Sequence, residues 1–306
     1  MPRREPRARS VRCRHGGRLR GIPSPFLLTV LAAGACASEP RPEPAAAAAG
    51  DTVVDAAGTR HVFTRPATRI VSLVPSATIT LRTLGAEASL VGRTDYDTAA
   101  WIASVPSVGG GLDPNLEAIV ALAPDLVIRF EGEQDPRTPA RLDELGIRHV
   151  AVRPTSLGGI FATTDIVGRI TGREAAADSL GRAIRQGLAA LERRVAELPR
   201  LRIAYVLGGS PPWVSGPGTY IHEIVSIAGG DNVFSDLDAP YTSVGPEEFR
   251  VRDIDVVLVP HAGSFHEALT PGARVEVVGS GLENPGPGVV EAAWSVAEAM
   301  HGRTLR

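Results

Sequence analysis

Residues 69–128 read RIVSLVPSATITLRTLGAEASLVGRTDYDTAAWIASVPSVGGGLDPNLEAIVALAPDLVI. Short Val/Ile/Leu-rich runs alternate here with stretches of helical spacing, and a Gly-rich turn leads into Pro-Asn-Leu-Glu. We read strands at 69–74, 89–92 and 125–129 and helices near 76–84 and 115–122. A helix near 138–145 and a strand at 148–152 continue the pattern. Such β-α alternation implies a mainly parallel sheet covered by helices.

The same order returns in the second half of the chain. Strands are expected at 201–207, 255–259 and 274–278, and helices near 219–228, 246–251 and 288–301. Arg69-Ile70-Val71 and Arg202-Ile203-Ala204 each open a strand, and the following helices end near Gly85 and Gly229. Val91 and Val233 then fall in short extended stretches. Pro114-Asn115-Leu116-Glu117 is matched by Pro246-Glu247. Glu117 precedes Asp125 by eight residues, Glu247 precedes Asp255 by eight, and each Asp opens an apolar strand. Between the halves, Leu180, Ile184, Leu188, Leu191, Val195 and Leu198 recur at spacings of three and four, marking one face of a long helix over 175–198 that Pro199 ends. The expected fold class is α/β: two similar lobes with mainly parallel sheets, joined by a single long backbone helix, with a ligand cleft between the lobes.

The first fifty residues read as targeting and tether. Eight arginines precede a short apolar run, Phe26–Ala33, too short to span a bilayer. The run leads into Ala33-Gly34-Ala35-Cys36, which resembles a bacterial lipoprotein signal with Cys36 as the lipid anchor. An ordinary signal peptide cut nearby is the alternative. Residues 36–50, rich in Pro and Ala, cannot build a core. The expected division is therefore a signal peptide at 1–35, a tether at 36–50, an N-terminal α/β lobe at 51–157, a helical region with the interlobe helix at 158–199, and a C-terminal α/β lobe at 200–306. A small hairpin around Ala57-Gly58 should begin the ordered chain.

Composition excludes several function classes. The only cysteines are Cys13, within the signal, and Cys36, so the mature chain has none for a disulfide, a zinc site or a thiol nucleophile. Removal of residues 1–35, with 8 Arg and 1 Glu, leaves 24 basic and 33 acidic side chains, a net charge of −9. That balance argues against nucleic acid or anionic lipid as a partner. His222-Glu223 and His266-Glu267 begin like a zinc-protease motif but lack the second His. Neither a phosphate loop nor a Gly-x-Ser-x-Gly elbow occurs. No catalytic residue and no metal site is assigned.

With these residues in view, the chain resembles the helical-backbone periplasmic substrate-binding proteins of ABC importers, the class serving vitamin B12, ferric siderophores and haem. The resemblance runs from about Arg69 to His301 and is strongest to the cobalamin binders. It is carried by Val71–Thr78, Val91–Tyr96, Asn115–Leu122 and Gly229–Phe234. It implies a protein that captures cobalamin or a related corrinoid in the interlobe cleft and delivers it to a permease dimer and its ATPase. It implies no enzyme activity and no cofactor. Cavity-facing aromatics are expected at Tyr96, Trp213 and Tyr241. Where the family's cobalamin binders carry an aromatic just before Asn-Leu-Glu, this chain has Gly109-Gly110-Gly111-Leu112. Backbone amides of Gly110 and Gly111 are expected to meet the ligand, with Trp101 supplying aromatic surface. His261 is placed at the ligand rim, and it or His266 could coordinate a haem iron. Glu117 and Glu247 match the acidic residues that dock each lobe on the transporter, with Glu248 as a substitute for the second.

The location implied is the periplasm or cell envelope, with a monomer held to the membrane through Cys36 alone. A ferric siderophore or haem binder of the same class is the nearest alternative. An envelope sensor or scaffold, and a metal-dependent enzyme using the cleft, are alternatives from other classes.

Overall fold

The expected hairpin is present: β1 (Asp51–Val54) and β2 (Arg60–Phe63) pair antiparallel across their full length. The computed structural model describes residues 51–306; the expected signal peptide, the expected tether and Cys36 lie outside the described residues. Asp55 fixes the hairpin to the first lobe. Its carboxylate accepts from the turn amides of Ala57 and Thr59, from His61, and from the amide of Ala151 at 3.0 Å.

The first lobe contains β3 (Ile70–Ser72), α1 (Pro75–Thr83), β4 (Leu90–Gly92), α2 (Leu116–Ala121), β5 (Leu126–Phe130), α3 (Thr138–Glu144) and β6 (His149–Val152). Its four strands are parallel, in the order β4-β3-β5-β6. Side chains alternate between two faces, as the two-residue repeat of a strand requires. Ile70, Leu126, Ile128 and Val150 pack under α1, while Val71 and Val127 pack against Ile119 of α2 and Leu142 of α3.

Two antiparallel helices follow, α4 (Leu157–Thr171) and α5 (Glu174–Val195). The 22 residues of α5 span about 33 Å at 1.5 Å per residue. Its Ala177 belongs to the first lobe's core and its Ile184, Leu188, Leu191 and Val195 to the second's. Helix α4 bridges in the opposite direction, with Ile160 in the second core and Val167 and Ile170 in the first. Helix α5 stops at Val195, short of Leu198. A proline clashes with the carbonyl four residues before it, and for Pro199 that residue is Val195.

The second lobe contains β7 (Leu201–Gly208), β8 (Trp213–Ser215), α6 (Tyr220–Ile227), β9 (Gly230–Asn232), β10 (Tyr241–Ser243), α7 (Pro246–Val251), β11 (Val256–Val259), β12 (Arg274–Val277) and α8 (Val289–His301). Strands β9, β7, β11 and β12 are parallel and adjacent in that order. Numbered by appearance within each lobe, both parallel sheets therefore run 2-1-3-4, so the weak sequence repeat is a repeat of topology. The second lobe adds an antiparallel extension, β8 on β7 and β10 on β8.

The paired aspartates have a structural reason. Asp125 accepts from the Arg69 amide at 3.0 Å, and Asp255 accepts from the Arg202 amide at 2.7 Å. Each carboxylate thus ties the start of its lobe's third strand to the start of its first. Burial of the alternating apolar residues, and not these exposed bonds, supplies most of the stabilisation.

Candidate functional site

In an open parallel sheet, ligands bind beyond the carboxyl ends of the strands, where the strand order reverses. Both lobes reverse between their first strand and its two neighbours. The loops after those strands line two cavities that share one wall, the ring of Phe130 at the end of β5.

The cavity on the first lobe has a volume of 540 Å³. Leu73, Val74 and Pro75 form its floor, and Tyr96 and the Gly110–Asp113 turn form one side. The Tyr96 loop is braced. The Asp97 carboxylate accepts from the Thr94 amide and hydroxyl at 3.0 and 2.7 Å, and the Asp95 amide donates to the Gly109 carbonyl at 2.9 Å. Tyr96 stands at the loop tip, 72% exposed. A Cβ on Gly111 would lie 2.4 Å from the Leu73 carbonyl oxygen, so only glycine lets this turn close on the floor.

The second cavity, of 350 Å³, opens between the lobes. Phe130, Pro154 and Thr155 face Tyr205, Tyr220 and Tyr241 across it. Burial pushes all three phenols up, Tyr241 to about 12 and the other two further. They are therefore neutral near pH 7 and offer ring faces and O–H donors; the Tyr220 hydroxyl donates to the Leu282 carbonyl. At the rim, His261 Nε2 lies 3.2 Å from Glu283 Oε1. Trp213 is 49% exposed at the start of β8. The β8–β10 register pairs Tyr241 with Ser215 and Ser243 with Trp213, so the Trp213 side chain shares a sheet face with Tyr241.

The structure brings Tyr96, Gly110 and Gly111 together in one cavity and places Tyr241 on the wall of the other; His261 is linked to that wall through Glu283, and Trp213 shares the sheet face of Tyr241. The structure does not bring Trp101 to either cavity. That ring packs against the first lobe's core under the Arg82 guanidinium, 4.6 Å from the ring centroid, because its short helix (Ala100–Ile102) buries Ile102 beside it. We therefore leave Trp101 out of the site. His266 lines a third hollow, with Pro211 and Pro246, apart from the two described. Among the described residues no group of three or more His, Cys, Asp or Glu could hold a metal ion.

Nothing in the sequence marks Tyr205, Tyr220 and Phe130 as residues of the candidate site. Each looks like an ordinary core position of a strand or helix, and only the topology shows that it ends at the cleft. The Thr219 hydroxyl that caps α6, accepting from His222 N, was the one local sign that Tyr220 begins a helix at a strand's carboxyl end.

On the outer faces, Glu117 and Glu247 occupy the same place in α2 and α7. Each sits in the first turn, exposed and free of ion pairs among the described residues, two positions before the residue that anchors its helix, Ile119 or Phe249. Glu248 is instead bound to Arg252.

Comparison with known proteins bears on this arrangement. A family model described as periplasmic binding protein matches residues 70–268. A cobalamin-binding protein of Halobacterium salinarum is 30% identical over 95% of this chain and 86% of its own length. A vitamin B12-binding protein of Vibrio cholerae is 28% identical over 63% of this chain and 70% of its own. Among solved structures, a periplasmic vitamin B12 binding protein of Vibrio cholerae superposes with a TM-score of 0.68 at 24% identity, covering 77% of this chain and 97% of that one. A periplasmic heme binding protein of Pseudomonas aeruginosa superposes with a TM-score of 0.67 at 21% identity, covering 78% and 94%. At these identities the structures establish a shared two-lobed fold.

Proposed function

This chain belongs to the periplasmic binding protein family, and from that premise we propose that it captures cobalamin or a related corrinoid between its lobes. As a member it is a substrate-binding protein and not an enzyme. The observation that carries the ligand reading is the pair of adjoining cavities walled by Tyr96, Phe130, Tyr205 and Tyr241. A corrin is broad, flat and partly apolar, and aromatic walls with few polar groups suit such a ligand. The names of the sequence relatives support the same reading.

Delivery to an ABC importer completes the proposal. Glu117 and Glu247 are the docking residues, one on each lobe, at equivalent points of a repeated topology. Two separated, unpaired carboxylates would set the orientation on a partner that presents two basic pockets. Cys36 is the proposed lipid anchor, holding a monomer in the periplasm or cell envelope. Trp213, Tyr96, Tyr241, Gly110, Gly111 and His261 are the proposed ligand contacts.

Equilibrium dialysis tests the ligand. The purified protein should retain close to one cobalamin per chain at micromolar concentration. Retention of haem but not cobalamin, lost on replacing His261, would transfer the proposal to haem.

A further inference from the structure

The two cavities are walled by rings, aliphatic chains and backbone, and the charged side chains among their lining residues are both acids. Glu283 lies on the second lobe's side and Asp113 on the first's. No arginine or histidine is among the lining residues of either cavity. Two arginines adjoin lining residues in sequence and both are engaged elsewhere: Arg129 is buried and pairs with Glu131 at 2.7 Å, and Arg153 donates its Nε to the Glu131 carbonyl at 3.0 Å.

Glu283 is held in place. His261 Nε2 engages Oε1 at 3.2 Å, which leaves Oε2 as an acceptor with no partner among the described residues. Its charge reaches the cavity floor, where it adds to burial in raising the Tyr205 and Tyr220 phenols. Asp113, exposed in the Gly-rich turn, has no ion-pair partner among the described residues. A ligand entering this cleft therefore meets carboxylate acceptors from both lobes and no cationic side chain on the walls.

We infer that Glu283 and Asp113 set the ligand's charge class: the cleft takes neutral or cationic corrinoids whose periphery carries carboxamides, and rejects tetrapyrroles whose periphery carries carboxylates. The inference rests on the corrinoid reading above and deepens it. A carboxamide N–H₂ donates to a carboxylate, whereas a peripheral carboxylate meets like charge at the cavity walls. The same contrast disfavours haem, with its two propionates.

The test compares two corrins of the same ring size, cobinamide, with peripheral amides, and cobyrinic acid, with peripheral carboxylates. Both are titrated into the full chain at neutral pH and low salt. Cobinamide should bind at least about tenfold more tightly than cobyrinic acid. Glu283→Gln with Asp113→Asn should narrow that gap by strengthening the acid, and Glu283→Gln alone should narrow it in part. A thermal melt verifies that the variants fold, and the wild-type comparison stands without them. Equal affinity of the wild type for both corrins, or an unchanged gap in folded variants, overturns the inference while leaving the corrinoid reading intact. Binding of neither corrin overturns that reading and this inference with it.

Discussion

Gly111→Ala isolates one contact that shapes the candidate cleft. The added Cβ would lie 2.4 Å from the Leu73 carbonyl oxygen, nearly 1 Å inside ordinary van der Waals contact, which begins near 3.4 Å. That oxygen belongs to the backbone between β3 and α1, whose Leu73 amide is bonded to the Ile128 carbonyl at 2.8 Å, so it cannot swing aside. The Gly-rich turn must move instead, and with it part of the lining of the first cavity. Overpacking of this kind costs about 1–3 kcal/mol. For a chain of this size that is a fall in melting temperature of roughly 2–10 °C. Gly110→Ala is the control, because a Cβ there meets nothing closer than 3.7 Å. Thermal unfolding followed by circular dichroism, with cobalamin titration of both variants, reads the outcome. Gly111→Ala should melt earlier and bind more weakly, while Gly110→Ala should match wild type in stability. Equal melting temperatures for Gly111→Ala and wild type would refute the packing argument.

Trp213→Ala should weaken cobalamin binding by about tenfold, from loss of one aromatic face, while Trp101→Ala should lower stability and leave affinity unchanged; titration of both variants separates the two rings. Glu117→Ala combined with Glu247→Ala should stop transport in reconstituted vesicles holding the cognate importer and leave the dissociation constant intact. Uptake at the wild-type rate would remove both from the docking role. Burial, aided by the Arg129 charge, holds the His149 imidazole below its ordinary value of 6.5 despite Asp143. The unfolded chain therefore takes up a proton below about pH 6.5 before the folded chain does, and stability should fall with pH across that window. Melting curves of His149→Gln should show a shallower pH dependence between pH 6.5 and 5.

Much of the fold was legible because the β-α alternation is regular. The first and third strands of each lobe open at recognisable points: Arg69 precedes β3 and Arg202 is the second residue of β7, while Asp125 and Asp255 precede β5 and β11. The eight-residue interval from Glu117 to Asp125 and from Glu247 to Asp255 proved to mark equivalent helices and strands. Strands β8 (Trp-Val-Ser) and β10 (Tyr-Thr-Ser) carry no Val/Ile/Leu run of the kind that marks β3 and β4 in the sequence. The end of α5 was placed too late because the steric reach of Pro199 extends back to Val195. At the site, the loop aromatics Tyr96 and Trp213 stood out because a lone ring between glycines and prolines has no local core to join. Trp101 looked similar, yet it finds a partner in Arg82, some 20 residues earlier in the chain. Tyr205, Tyr220 and Phe130 could not be singled out, since a strand's last buried ring reads the same whether it faces a core or a cleft. The His261–Glu283 pair joins loops on either side of β12 and has no local signature.

The central claim is that the cleft between the lobes holds a corrinoid. The most direct measurement is a parallel titration of the purified chain with cobalamin and with haem, following tryptophan fluorescence and the haem Soret band. Cobalamin should quench the fluorescence saturably at micromolar concentration or below, less tightly in Trp213→Ala, with little response to haem. No saturation by cobalamin, together with a Soret shift on adding haem, would contradict the corrinoid reading.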